Sequence, residues 1–149
     1  MATTTGGGYA FTLVKAAQAW RTEASRVLGP HELTVPQFLV VMALYRQAQH
    51  GWDPLMQSEV AARLGMDANT ASQIVRALER RGLLTRTPHP EDSRARAIAL
   101  TSEGIERGRD ASASARALNE LFFSAVAAEK LTDLGDILDT LIAASEARS

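Results

Sequence analysis

Two short helical stretches that meet at a glycine, followed at once by a polar hairpin, constrain the fold of this chain more than any other feature. Residues 57–64 and 67–81 have helical periodicity and meet at Gly65-Met66, where glycine supplies the positive φ that a tight joint between helices needs. Residues 83–87 and 97–100 then have the composition of two short strands around a polar turn. This order of elements predicts a winged helix-turn-helix.

Signals for helix ends support this motif and the segments around it. Asp67 can cap the second short helix, and Gly82 can end it in the left-handed conformation. Apolar periodicity predicts further helices over residues 9–28, 34–49, 101–123 and 130–147. The predicted fold is therefore mainly α with a small β-hairpin wing, and further helices flank the winged helix-turn-helix at both termini.

The second helix of the motif has one apolar side and one polar side. At about 100° per residue, the polar side carries amide, hydroxyl and guanidinium groups, on Asn69, Ser72, Gln73 and Arg76, with Thr70 on the flank. Amides pair with adenine, arginine pairs with guanine, and hydroxyl groups bond several base edges or phosphate. Such a face is by itself more often a solvated helix surface, but the preceding helix, the glycine joint and the hairpin favour a helix that lies in the major groove of DNA.

The hairpin adds basic side chains behind that helix. Arg94 and Arg96 lie at or near the polar turn, just before the second predicted strand. A narrow tip that carries an arginine suits the minor groove, where the negative potential favours a guanidinium group. Arg86 and Arg96 are predicted to face phosphates, and Asp92 is predicted to hold the tip in shape by pairing with Arg94 or a neighbouring arginine.

The distribution of charge and the absence of cysteine narrow the functional classes. A formal net charge of −1 argues against a nucleic-acid binder, but residues 57–109 hold nine arginines against seven carboxylates, whereas residues 110–149 hold three basic and seven acidic residues. The lack of cysteine excludes disulfides, thiolate metal sites and cysteine-based redox sensing. Neither a signal-peptide pattern nor an apolar run of membrane-spanning length is present, so we expect a soluble, cytoplasmic protein without a membrane partner.

Three segments of the chain resemble the MarR family of bacterial transcriptional regulators. They are Ser58-Glu59-Val60-Ala61-Ala62-Arg63-Leu64-Gly65, Leu78-Glu79-Arg80-Arg81-Gly82-Leu83-Leu84, and the spacing Asp-x-Arg-x5-Leu-Thr from Asp92 to Thr101. The resemblance covers nearly the whole chain except its Gly-rich start. It implies a sequence-specific regulator, in most such proteins a ligand-responsive repressor, that binds a pseudo-palindromic operator in double-stranded DNA as a homodimer. It also implies a helical dimerisation region (9–33 and 108–149) and a DNA-binding domain (34–107), whereas the Gly-rich composition of residues 1–8 predicts a flexible N-terminus.

The chain departs from the family pattern at two positions. Met56 stands three residues before Glu59, where similar proteins often have Ser or Thr, so a capping box is predicted to be absent and Gln57 or Ser58 to cap the first short helix. Gln73 stands where many similar proteins have a basic residue. The second departure affects which operator sequence the protein would bind, and it does not affect the prediction that the protein binds DNA.

The resemblance further implies an effector crevice lined by the first, second and fifth helices, which would hold a small aromatic or anionic ligand. The candidate lining residues are Trp20, Phe38, Met42, Tyr45 and Arg116. Core packing is the stronger interpretation for the four apolar side chains. Arg116 is either a partner for an anionic group or a solvated helix residue.

Metal, cofactor and enzyme functions are not expected. His31, His50 and His89 do not stand at i,i+3 or i,i+4 from one another, so no metal or cofactor is predicted. The sequence contains no nucleophile elbow, phosphate-binding glycine loop or metalloprotease motif. The open alternatives are a winged-helix protein-interaction module without DNA binding, and a ligand-binding or metal-buffering protein.

Overall fold

The structure, a computed structural model, describes residues 7–148 as six α-helices and one three-stranded sheet. The helices are α1 (Gly7–Leu28), α2 (Val35–Gln49), α3 (Gln57–Arg63), α4 (Ala68–Arg80), α5 (Ser102–Phe122) and α6 (Ala128–Glu146). The strands are β1 (Leu55–Met56), β2 (Leu84–Pro88) and β3 (Arg96–Leu100), and a one-turn 3₁₀ helix (Gly29–His31) follows α1. The predicted fold class, mainly α with a small hairpin, is confirmed.

The chain divides into two compact units, residues 1–116 and 117–149. The first unit contains α1 to α4, the sheet and most of α5, and the second contains the end of α5 and α6. The predicted flexible segment 1–8 falls mostly outside the described residues, and Gly7 and Gly8 already belong to α1. The assignment of residues 9–33 and 108–149 to dimerisation and of 34–107 to DNA binding stays a prediction.

The central strand of the sheet is β3, which pairs antiparallel with both β1 and β2. Leu84 lies opposite Leu100 and Pro88 opposite Arg96, so β2 and β3 form the predicted hairpin. On the other side of β3, Leu55 lies opposite Ile98. The sequence did not predict β1, because two residues are too few to show a strand pattern. Its pairing attaches the start of α3 to the hairpin.

The core of the first unit lies where α2 contacts both α4 and β3. Thr34 caps α2 through a reciprocal pair of hydrogen bonds with Gln37. The large side chains with almost no exposed surface are Leu28, Val40, Val41, Val60, Val75, Leu78, Leu83, Leu84 and Ile98. Because these residues come from both helices and strands, the same core holds α4 and the hairpin.

Thr101 joins the hairpin to α5. Its hydroxyl donates to the carbonyl of Gly82 at 2.6 Å and accepts from the backbone N–H of Gly104 at 3.1 Å. Its own N–H donates to the carbonyl of Leu83 at 3.1 Å. Thr101 therefore caps α5 and binds it to the segment between α4 and β2.

Within residues 7–148, no single helix is long and apolar enough to cross a membrane. In the same part of the chain, only the segments Gly8–His31 and Val35–Gln49 taken together are long and apolar enough, and a bend of 71° separates them.

Candidate nucleic-acid interface

The joint between α3 and α4 has the geometry of a helix-turn-helix. Gly65 takes a φ of 61°, in the left-handed region that the sequence predicted. Its N–H donates to the carbonyl of Ala62, and the N–H of Met66 donates to the carbonyl of Ala61. These bonds close α3 and direct the chain into α4.

The predicted cap of α3 is wrong. Met56, rather than Gln57 or Ser58, occupies the N-cap position, and its side chain makes no capping hydrogen bond. Instead, the carboxylate of Glu59 accepts the backbone N–H of Met56 at 2.7 Å. Glu59 thus supplies its half of a capping box without a Ser or Thr partner, and its negative charge also suits the N-terminus of a helix.

The two sides of α4 differ as predicted. Ala71, Val75 and Leu78 are buried, and they hold the helix against the core. The structure brings four of the predicted DNA-contacting side chains together on the exposed part of α4, namely Asn69, Thr70, Gln73 and Arg76. Ser72 is half-buried at the edge of this face. The exposed side therefore offers amide, hydroxyl and guanidinium groups in little more than two helical turns.

Asp67 caps α4 through two hydrogen bonds from a single residue. One carboxylate oxygen accepts the backbone N–H of Thr70 at 2.9 Å, and the other accepts its side-chain hydroxyl at 2.6 Å. The hydrogen bond from the hydroxyl, followed by that from the N–H, lowers the pKa of the Asp67 carboxyl below its ordinary value. The sequence predicted the cap but not the bond to the hydroxyl, because a residue type alone does not fix a rotamer.

The polar tip of the hairpin is held by Asp92, although not by the predicted pairing with an arginine side chain. The Asp92 carboxylate accepts the backbone N–H of Arg94 at 3.0 Å, and its backbone carbonyl accepts the N–H of Ala95 at 3.0 Å. Asp92 therefore shapes the turn through the backbone. The guanidinium group of Arg94 stays available for another partner, because it forms no ion pair within residues 7–148 and the residue is exposed.

Arg86 occupies a position different from the one predicted for it. Its guanidinium group contacts the Glu79 carboxylate of α4 at 2.7 Å from Nη2 and 2.9 Å from Nε. Both side chains are half-buried and both nitrogens contact the same carboxylate oxygen, Oε2, so the predicted phosphate contact is replaced by an ion pair that ties β2 to α4. Arg96 lies at the start of β3 and is exposed, as a phosphate contact would require.

The Arg86 ion pair makes a testable contribution to stability that depends on pH. Its hydrogen bond to Glu79 lowers the pKa of that carboxyl, so the contribution is present above the ordinary carboxyl range and is lost as pH falls through the lowered value. We expect Glu79→Gln to lower the melting temperature slightly at pH 7, with a difference that shrinks towards pH 3. Melting curves followed by circular dichroism would measure this, and a difference that is constant with pH would contradict it.

The predicted effector residues differ in how exposed they are, and their role stays a prediction. Phe38 is buried, Met42 and Tyr45 are half-buried, and Arg116 is exposed. Tyr45 lies beside Gly108 of α5, so closely that a Cβ on this glycine would stand 3.2 Å from the tyrosine ring. This contact agrees with core packing for Tyr45. Trp20 is half-buried on α1.

A polar cavity of about 270 Å³ lies instead between α1 and the start of α2. Its lining residues are Gln18, Arg21, Thr22, Ser25, Thr34, Val35 and Pro36, which include none of the five predicted effector residues. The sequence contains no signal for this cavity, because polar residues are ordinary on an exposed helix surface. The cavity exists only because of the angle at which α2 approaches α1. Among the residues that the structure describes, no three His, Cys, Asp or Glu side chains are grouped as metal ligands would be.

Comparison with known proteins identifies this arrangement. The model of the MarR family matches residues 31–95. YdcH of Bacillus subtilis (strain 168), an uncharacterized HTH-type transcriptional regulator, is 28% identical over 115 residues, which are 77% of this chain and 78% of that protein. The family match covers the helix-turn-helix and strand β2, and it ends just before strand β3.

Solved structures extend the likeness to almost the whole chain. A MarR-family transcriptional regulator from Rhodococcus sp. RHA1 superposes with a TM-score of 0.82 at 26% identity, over 94% of this chain and 96% of that one. CouR from Rhodococcus jostii RHA1, solved with bound p-coumaroyl-CoA, gives a TM-score of 0.79 at 27% identity, over 89% and 90% of the two chains. The proteins found in these comparisons are transcriptional regulators rather than enzymes, and this chain is similar to the MarR family of winged-helix transcriptional regulators both in sequence and in fold.

Proposed function

We propose that this regulator is a repressor that binds a pseudo-palindromic operator as a homodimer and is released by a small ligand. The observation that carries the proposal is the exposed polar face of α4, which stands in a helix-turn-helix and is followed by a hairpin whose tip bears Arg94. In this arrangement α4 enters the major groove through Asn69, Gln73 and Arg76. Arg94 enters the adjacent minor groove.

Exposed arginines supply the affinity for the phosphate backbone. Within residues 7–148, Arg76, Arg80 and Arg94 are exposed and make no ion pair with a carboxylate, and Arg96 is exposed with its charge near the Glu79 carboxylate. Each neutralised phosphate releases counterions, so binding weakens as salt rises. The net charge of −1 for the chain does not oppose this interaction, because the arginines are gathered on the elements that would face DNA.

The proposed homodimer is supported by apolar side chains that are exposed to solvent in the single chain. Within the described residues, α6 has no buried residue, although it carries Leu134, Ile137, Leu141 and Ile142 on one side. On α1, Tyr9 and Phe11 are each 68% exposed. Isolated apolar residues on a surface are ordinary, but a whole helix with an uncovered apolar side requires a partner. A second copy of the chain supplies an identical surface, which is the requirement of a two-fold interface.

A small anionic effector is supported by the cavity between α1 and α2. Arg21 provides a positive charge and Gln18, Thr22 and Ser25 provide hydrogen-bonding groups, so a carboxylate or phosphate group fits the chemistry of the lining. The related regulator CouR has been solved with p-coumaroyl-CoA, a ligand with both aromatic and anionic groups. Effector release requires that the ligand bind the DNA-free conformation more tightly than the DNA-bound one.

Paired substitutions distinguish base contact from backbone contact. We expect Arg94→Ala to weaken binding to all duplexes about tenfold and to reduce the salt dependence, because the lost contact carries a charge but little sequence information. We expect Gln73→Ala to weaken binding about 5- to 100-fold on the preferred duplex only, at one base pair per half-site. Fluorescence anisotropy with the promoter region of its own gene, over a series of salt concentrations, would measure both.

Two outcomes would contradict the proposed function. A folded wild-type protein that binds no duplex below physiological salt would remove DNA binding and leave the protein-interaction module as the better interpretation. An equal loss on every sequence from Gln73→Ala would remove base contact by this residue. Glu106→Ala, which changes an exposed residue of α5 away from α4 and the hairpin, provides the control and should bind as the wild type does.

A further inference from the structure

The hydroxyl of Thr70 has a fixed direction on the exposed face of α4. Its oxygen lies 2.6 Å from one carboxylate oxygen of Asp67, and the other carboxylate oxygen already accepts the Thr70 N–H. An ionised carboxylate has no hydrogen to donate. The short bond therefore uses the hydroxyl hydrogen of Thr70, and only the lone pairs of its oxygen remain for another partner.

The Asp67 carboxylate likewise offers only hydrogen-bond acceptors, because it is ionised. Its two oxygens accept from Thr70 and retain further lone pairs, which can only accept hydrogen bonds. Both residues are exposed, so the beginning of α4 presents hydrogen-bond acceptors and no side-chain donor at this edge. Asn69 and Gln73, farther round the helix, each offer both a donor and an acceptor.

We propose that Thr70, held by Asp67, selects amino bases at one position of each operator half-site and rejects keto bases there. Adenine and cytosine present an amino donor in the major groove, whereas guanine and thymine present keto acceptors at the corresponding place. An acceptor-only oxygen gains a hydrogen bond from an amino group and meets electrostatic repulsion from a keto oxygen. This inference rests on the proposed DNA binding and adds to it a specificity-determining pair.

A single substitution should reverse this selection. In Asp67→Asn, the amide oxygen still accepts the Thr70 N–H, so α4 keeps its cap. The amide nitrogen then donates to the Thr70 oxygen, which releases the hydroxyl hydrogen towards the DNA. The Thr70 hydroxyl becomes a donor, and guanine or thymine is then accepted at the position that had required adenine or cytosine.

Thr70→Val and Thr70→Ser are the matched controls. Valine has nearly the shape of threonine without the hydroxyl, and Thr70→Val leaves the backbone bond to Asp67 in place, so the amino preference should disappear while the helix stays capped. Serine keeps the hydroxyl and its bond to Asp67, so Thr70→Ser should keep the preference. Thermal melting of each variant shows whether the cap, and with it the fold, is retained.

The experiment selects binding sequences from a library of random duplexes with the wild-type protein and each variant, and then measures affinity for chosen duplexes by anisotropy. For the wild type we expect adenine or cytosine at one position of each half-site, and about a tenfold loss when that base becomes guanine or thymine. For Thr70→Val, guanine or thymine at that position should cause almost no loss of affinity. For Asp67→Asn, guanine or thymine should bind more tightly than adenine or cytosine. A purine base that lacks the amino group, placed at that position, should weaken DNA binding by the wild type but not by Thr70→Val.

The results separate this inference from the function on which it rests. A wild-type protein that enriches no sequence overturns both the proposed function and the role of Thr70. A wild-type protein that enriches an operator, with the same base preferences in Thr70→Val and Asp67→Asn, overturns only the role of Thr70. A uniform loss of affinity in the variants, with unchanged preferences, has the same meaning, since it assigns the pair to helix capping alone.

Discussion

Gly104→Ala should destabilise the protein by about 3 kcal/mol or more, which is at the upper end of overpacking effects. A Cβ on Gly104 would overlap the backbone carbonyl oxygen of Leu83 and approach the Leu100 side chain at 3.2 Å. Backbone cannot move aside as a flexible side chain can, and the same carbonyl accepts the N–H of Thr101 at 3.1 Å. The methyl group would therefore separate α5 from the segment between α4 and β2.

Chemical denaturation followed by circular dichroism would measure this loss. Glu106→Ala, two residues along the same helix and exposed, is the control, and its stability should stay within about 0.5 kcal/mol of the wild type. A Gly104→Ala protein as stable as that control would show that the close approach of α5 to Leu83 is not required. Loss of this joint should also lower DNA affinity, because the residues on either side of it connect α4 to the hairpin.

Glutamates on the apolar side of α6 should dissociate the proposed dimer. Ile137 and Leu141 are 56% and 53% exposed in the single chain and stand one helical turn apart. Burying an uncompensated charge between subunits costs about 3 kcal/mol or more, so Ile137→Glu with Leu141→Glu should weaken association at least about 100-fold. Light scattering after size-exclusion chromatography should then give the 16.0 kDa mass of one chain instead of twice that mass.

The control for this change places two glutamates on the other side of the same helix. Thr132 and Thr140 lie on the polar side of α6 and are exposed, so Thr132→Glu with Thr140→Glu adds the same charge without touching the apolar side. We expect that variant to stay dimeric and to bind DNA as the wild type does. Dissociation by both double variants would mean that added charge, rather than the apolar side, determines assembly.

Loss of the dimer should reduce operator affinity even though α6 lies far along the chain from α4. A dimer brings two recognition helices to two half-sites one helical turn of DNA apart, and linking the two binding events raises the overall affinity well above that of one. The dissociated variant should therefore bind DNA weakly, with the base preferences of the wild type. If a confirmed monomer bound the operator as tightly as the wild type does, the proposed function would not require a homodimer.

Much of the fold follows from local chemistry that the sequence displays. Gly65 and Gly82 could be assigned to left-handed positions because few other residues adopt them at low cost, and their φ angles are 61° and 72°. The caps at Thr34 and Asp67 were predictable for a similar reason, since each hydrogen bond spans only three residues of the chain. The cap of α3 was not, because Glu59 takes over where the expected hydroxyl is missing.

The candidate DNA interface was predictable in its composition but not in all of its contacts. The periodicity of residues 67–81 determined which side of α4 is polar, and the structure leaves Asn69, Gln73 and Arg76 exposed there. The role of Arg86 was mistaken, since the sequence does not show that strand β2 brings this residue within 2.7 Å of Glu79. The cavity between α1 and α2 was not predicted from the sequence, because its lining comes from two helices whose approach no single segment encodes.

The sequence by itself determined the order of the six helices and the two hairpin strands, the glycine joint, the polar side of α4 and the basic hairpin tip. These features depend on residues that are near one another in the chain, where hydrophobic period and backbone conformation act directly. Only the tertiary structure decided which arginines are already paired, which way the Thr70 hydroxyl points, and how closely α5 approaches Leu83. Those features depend on distances between segments and on rotamers, which the packing of the whole core fixes.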